Sequence, residues 1–248
     1  MGTLFDMHHI AYIIISLSLT VMLLVLAKRH LRTRRQKAFF LKTFAVLTVF
    51  LHISPLWIDF LKNGQAMVAD NMLFPIYFCN MSMYLLMVTA FIDFRETPFY
   101  RHLAAFTAYA GIFGGMISLF YPDYYLGASS MFQWGVFKSM ASHSTMVIGA
   151  AWLFVSGDAR IGYDNIASYV AGLVFYGLAG LVVNTIFVSN GLRHPNAMYL
   201  DHPPLSDVSW LNAITIPVLM IIVIGLVASV HGLLLRARTP SEAKYKMD

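Results

Sequence analysis

Apolar residues in this chain neither alternate with polar ones nor form a single helical stripe; they run on in long blocks. Crossing a ~30 Å hydrocarbon core takes roughly 20 mainly apolar residues at ~1.5 Å each. Seven stretches meet that demand: about Ile10–Ala27, Ala38–Phe60, Met72–Ile92, Leu103–Phe120, Phe132–Val155, Ile166–Val188 and Ala213–Leu235. A segment in lipid must satisfy its own backbone hydrogen bonds, so each is predicted to be helical. The pattern predicts an all-α, polytopic membrane bundle. No linker, low-complexity stretch or repeat divides it, so residues 1–248 are read as a single domain. The fourth stretch is short and glycine-rich, and it is the first span to be given up if fewer than seven cross.

The polar residues between the blocks set the orientation. Lys28, Arg29, Arg32, Arg34, Arg35, Lys37 and Lys42 follow the first stretch. Seven crossings put Arg95, Arg101, Arg160, Arg236, Arg238, Lys244 and Lys246 on that same side, against only Lys62 and Arg193 opposite. Basic loops stay cytoplasmic. The N-terminus is therefore predicted outside and the C-terminus in the cytosol, in a multi-pass plasma-membrane protein. Met1–His9 carries no basic n-region and no small-residue cleavage site follows, which argues against a cleaved signal peptide. Asp6 stands where a myristoylation signal needs Ser or Thr.

Composition agrees with this: of 248 residues 58% are hydrophobic and 12% charged, about half the charge of a soluble domain. The net charge of +5 collects in short loops, the mark of membrane topology rather than of nucleic-acid binding. One cysteine, Cys79, excludes an internal disulfide and a Cys-rich metal site, and no cofactor is called for. Ala104, Ala108, Gly111, Gly115 and Ser118 form a small-residue stripe on the fourth stretch. Gly172, Gly177 and Gly180 form a less regular one on the sixth. Such stripes let helix backbones approach in lipid.

Intramembrane polar groups are costly and mark function. On a helix Pro75, Cys79 and Ser82 share a face, with Cys79 roughly 10 Å below the outer surface. Pro75 then frees a carbonyl, as proline does within a helix. The fifth stretch carries Lys138, Ser139, Ser142 and His143, with His143 near mid-membrane, where an imidazole suits proton transfer. His52 lies in the outer half of the second stretch and Asn184 near the outer end of the sixth. Asn190 to Pro204, with Asn196 and Tyr199, reads as an outer loop over the mouth of the bundle or as a plain connector. A buried filler cysteine and a structural histidine are the bland alternatives. The outer-half bias of His52, Cys79, Lys138 and Asn184 predicts a polar cavity facing outward.

The chain resembles the YwaF-like integral membrane proteins, a group that includes transmembrane protein 164. The resemblance rests on Pro75-x-x-x-Cys79, Ser142-His143 and Asn196-Ala-Met-Tyr199-Leu-x-x-Pro203, in this order along most of the chain. It implies a lipid acyltransferase with Cys79 as nucleophile and His143 as base, and an acyl-lipid substrate drawn from membrane lipids. The sequence departs from the commoner pattern of a histidine two residues before the cysteine; Tyr77 stands there. An oxyanion would take donors from Asn80 or Asn184, with His52, Lys138, Ser139, Asn196 and Tyr199 as further substrate-binding residues. The alternative is a small-solute or ion transporter, in which Pro55, Pro75 and Pro217 would interrupt helices. A seven-helix receptor or sensor ranks third, since the last stretch has no lysine for a retinal Schiff base.

Overall fold

The computed structural model describes residues 2–63, 74–204 and 208–238, and every regular element among them is a helix. In chain order they are α1 (Met7–His30), α2 (Arg34–Ile53), α3 (Pro55–Asn63), α4 (Phe78–Phe91), α5 (Pro98–Phe120), α6 (Trp134–Ser156), α7 (Asp164–Ser189) and α8 (Thr215–Arg238). One turn of 3₁₀ helix, Ala197–Tyr199, lies between α7 and α8. Met72, the expected start of the third span, and the basic Lys244 and Lys246 lie outside the described residues.

Local chemistry starts and stops these helices. The Asp6 carboxylate accepts the His9 N–H at 2.9 Å to cap α1. Thr33 and Gln36 form a reciprocal capping box on α2. Thr97 caps α5, with Pro98 in its first turn, and α6 ends at Gly157 with φ 90°. Of the three prolines expected to interrupt helices, Pro55 does so: the second stretch breaks at Ser54 into α2 and α3. Pro217 instead lies in the first turn of α8, and Pro75 stands ahead of α4. In a first turn a missing N–H costs nothing, because those amides have no intrahelical partner.

Five helices are long and apolar enough to cross a membrane: α1, α2, α5, α7 and α8. The chain is a polytopic helical membrane protein. Rows of exposed Leu, Ile and Val on α1, α7 and α8 supply the lipid-facing surface. Of the other two expected spans, α4 is apolar but 14 residues long. The 23-residue α6 has its apolar character diluted by Lys138, Ser139, Ser142, His143, Ser144 and Thr145. The short, glycine-rich fourth stretch proves to be the most buried of the five, because α5 trades bulk for contact.

The centre of the bundle is α5 against α6, with α2, α4 and α7 around that pair and α1 packed on α6. The small-residue stripe brings the backbones together. A Cβ on Gly111 would lie 2.6 Å from the Ala150 Cβ, and one on Gly115 would lie 2.4 Å from Val147 Cγ2. On α7 the expectation holds at Gly172, against the Phe106 ring, and fails at Gly177, where a Cβ meets nothing within 4 Å. Side-chain hydroxyls stitch the contacts: Thr48 to Thr145 at 2.9 Å, Ser16 to Ser144 at 2.7 Å and Thr89 to Thr107 at 2.8 Å. Each such bond in lipid contributes about 0.6 kcal/mol.

The two ends differ in chemistry. At the basic end Arg34 pairs with Glu96, Lys37 Nζ donates to the Ser156 carbonyl and Trp152 Nε1 donates to the Lys37 carbonyl. At the other end Gly2 is tied to Gly127 and Ala128 by backbone hydrogen bonds. There the Tyr125 hydroxyl donates to the Asp6 carboxylate, and His9 Nε2 donates to the Leu119 carbonyl. A cluster of buried polar groups lies toward this second end.

Candidate functional site

Residues 74–77 enter the bundle as non-helical chain, with the Ile76 N–H donating to the Phe74 carbonyl at 2.8 Å across Pro75, and α4 starts only at Phe78. Proline biases the residue before it away from the helical region, and Tyr77 takes the extended N-cap conformation, φ −101° and ψ 154°. Asn80 Oδ1 accepts the Tyr77 N–H at 3.3 Å. This corrects the sequence expectation that Pro75 shares a helix face with Cys79 and Ser82: Pro75 is outside the helix. Cys79 is instead the second residue of α4, among amides with no intrahelical acceptor.

The first-turn N–H groups of Cys79 and Asn80 and the Ser118 hydroxyl lie near the half-buried thiol of Cys79. The α4 N-terminus thus turns partial positive charge toward the sulfur, while burial opposes a charged thiolate there. Gly114 makes the approach feasible, since a Cβ there would stand 3.2 Å from the Cys79 Cα and 3.4 Å from its Cβ.

His143 lies on the adjoining side of the same α5 stripe. Its carbonyl is 3.1 Å from a Cβ built on Gly115, next to the glycine that receives Cys79. Nδ1 is 2.6 Å from the Ser139 carbonyl. A carbonyl only accepts, so Nδ1 carries the proton and the lone pair of the neutral ring is on Nε2. That Nε2 is buried with no hydrogen-bond partner among the described residues, on a side chain only 7% exposed. Buried polar atoms are almost always paired, and an exception calls for an explanation. Ser139 contributes its backbone carbonyl, which also accepts the Ser142 hydroxyl at 2.9 Å.

Lys138 is 4% exposed; its ammonium donates to the His52 carbonyl at 3.4 Å and sits 5.4 Å from the centre of the Tyr124 ring. It is close enough to act electrostatically on both Cys79 and His143. His52 is equally buried, edge-on to Tyr84 at 5.9 Å. Cys79, Asn80, His143, Ser139, Lys138 and His52 therefore gather around α4, α6 and the end of α2.

Asn184, Asn196 and Tyr199 belong to a second, adjoining group. Asn184 Oδ1 accepts the Ala197 N–H at 2.8 Å, and its Nδ2 donates to Asp201 at 3.1 Å. Asn196 closes the loop on itself, accepting the Asp201 and His202 N–H groups at 3.1 Å and donating to the His202 carbonyl at 2.9 Å. The Tyr199 ring stacks on Tyr77 at 5.6 Å, and burial pushes its hydroxyl pKa upward. Sequence reasoning took Ser118 only as a small residue, and missed Tyr77, Gly114 and Met198. Nothing in their spacing marks them, because their roles depend on where α4 begins and how the loop folds back.

A model of the TMEM164 family matches residues 4–235. This is the transmembrane protein 164 side of the resemblance carried by the Pro75–Cys79, Ser142–His143 and Asn196–Tyr199 motifs. No curated protein and no solved structure matches the chain.

Proposed function

Since the chain belongs to the TMEM164 family, we propose that it is a membrane acyltransferase that moves a fatty acyl group between lipids through a covalent intermediate on Cys79. The observation that carries this reading is the buried, unpartnered Nε2 of His143, beside the stripe that also receives Cys79. A nitrogen fixed as a lone-pair acceptor by its own ring partner is poised as a general base.

The steps follow from the groups present. His143 Nε2 takes the thiol proton as the Cys79 sulfur attacks the ester carbonyl of a donor lipid. The Cys79 and Asn80 N–H groups stabilise the developing oxyanion, in the manner of fixed backbone donors. The side chain of Asn184 suits that role less well, because it is bonded at both ends, its Nδ2 to Asp201 and its Oδ1 to Ala197. The protonated imidazole returns its proton to the departing lyso-lipid oxygen, leaving a thioester. An acceptor lipid hydroxyl then attacks the thioester as His143 takes its proton, and the proton passes back to the sulfur.

The topology that fits this chemistry has seven crossings, the N-terminus outside and the Cys79 site toward the outer leaflet of the plasma membrane. Lys138 and His52 line the approach as substrate-binding groups. The test is transfer of a labelled acyl chain from phosphatidylcholine to a lyso-lipid in proteoliposomes. Both Cys79→Ala and His143→Ala should abolish it. Undiminished transfer by either variant sinks the mechanism, and Lys138-dependent uptake of a solute would replace it with the transport reading.

A further inference from the structure

The loop after α7 folds back onto the helix in a way that its sequence alone does not announce. Asn196, Met198 and Tyr199 all hold positive φ, at 50°, 56° and 55°. L-residues with a side chain rarely adopt that region, and it persists only where the surroundings over-determine it. Here they do. Asn184 holds the turn from below through Ala197 and Asp201, and Gly180 gives it a bed, since a Cβ there would press on Met198 Cγ at 2.9 Å and on the Ala197 carbonyl at 3.1 Å.

The turn's other side grips the start of α4. The Met198 N–H donates to the Ile76 carbonyl at 2.8 Å, and Tyr199 stacks on Tyr77. Ile76 and Ala197 are buried in one cluster with Val183 and Phe187. Ile76 and Tyr77 are the two residues before α4, and the N-cap conformation of Tyr77 aims the first-turn amides around Cys79.

We propose that the Asn196–Tyr199 turn, anchored on Asn184, is a positioning element for the Cys79 site, with Tyr199 and Asn184 acting on the thiol through Ile76 and Tyr77. The proposal rests on the acyl-transfer reading of that site. The strained turn then serves to fix the nucleophile and its oxyanion donors to within the ~1 Å that such geometry demands.

The experiment uses the full chain in proteoliposomes, with two readouts: steady-state transfer of a fluorescent acyl chain from phosphatidylcholine, and the rate of Cys79 alkylation by N-ethylmaleimide. Asn184→Ala and Tyr199→Ala should each lower kcat by about tenfold or more with KM within about twofold, and slow alkylation comparably. Tyr199→Phe, which keeps the stacked ring, should restore both to within about twofold of the native values. Gly177→Ala, on the same helix facing open space, should match the native protein. Where Asn184→Ala elutes as aggregate, Gly180→Ala displaces the turn more mildly and should move the same two readouts in the same direction.

Unchanged kcat and alkylation in Tyr199→Ala would overturn the proposal. So would faster alkylation, which would make the turn a cover, or a rise in KM alone, which would make it a substrate contact. Failure of the native protein to transfer acyl chains would sink the acyl-transfer reading instead, while the alkylation rates would still decide what the turn does to Cys79.

Discussion

Gly111→Ala isolates the contact on which the candidate site is built. The added Cβ would stand 2.6 Å from the Ala150 Cβ. Carbon atoms settle at ~3.5–4.0 Å, so the deficit is roughly 1 Å. Alanine has no rotamer with which to move aside, and Ala150 is fully buried in the middle of α6. Relief must come from separating α5 from α6, and overpacking of this kind costs about 1–3 kcal/mol. The separation also moves His143, on α6, away from Cys79, which sits on Gly114 of α5. The variant should aggregate at lower temperature than the native protein in the same detergent, and its acyl transfer should fall by more than its folded fraction does. The swap Gly111→Ala/Ala150→Gly restores room on the other face and should recover most of the loss, because it leaves the number of helical glycines unchanged. Native-like melting of Gly111→Ala, or a swap no better than the single variant, would refute the close approach.

Further expectations follow from other parts of the molecule. Glu96→Gln breaks the Arg34 pair, whose side chains are 77% and 69% exposed, and should change thermal stability by less than about 0.5 kcal/mol in detergent melts. Thr145→Val removes the Thr48 bond, but the Thr48 hydroxyl can turn its one proton to the Phe44 carbonyl at 2.7 Å, so the same melts should show a loss of about 0.6 kcal/mol and no more. At the N-terminal clasp, burial and then the Asp6 carboxylate raise the Tyr125 hydroxyl from 10.0 to about 12. A folded-state value above the unfolded one contributes stability that is complete below pH 10.0 and lost as pH rises through about 12. Protection of the amides at residues 2–6, taken relative to the base-catalysed intrinsic exchange rate, should therefore fall across that window, and Tyr125→Phe should remove the fall. A protection factor flat over this range would contradict the clasp.

Much of the bundle was legible because lipid leaves few choices: each long apolar block is mostly helical, the second being split at Ser54 into α2 and α3. The glycine stripe of the fourth stretch named its own packing face, since small residues at helical spacing have little other use in a membrane. Its shortness and glycine content counted against that same helix as a span, yet those small residues are what bury it. Pro75 misled in the opposite way. It sits in a run as apolar as its neighbours, and nothing in composition says that the helix waits until Phe78. Of the site, Cys79 and His143 stood out as costly intramembrane groups. The roles of Ser118, Tyr77 and Met198 arise from tertiary contacts between segments far apart in sequence, and the loop's positive-φ residues include a Met and a Tyr, which carry no turn signature.

The central claim is a covalent acyl group on Cys79 that depends on His143. The most direct test is intact-protein and peptide mass spectrometry of the protein in liposomes, after brief incubation with phosphatidylcholine of defined acyl chain. The account predicts a hydroxylamine-sensitive adduct of that chain's mass on Cys79, saturating with donor and absent from His143→Ala. No adduct at any donor concentration, or one that forms equally well without His143, would contradict it.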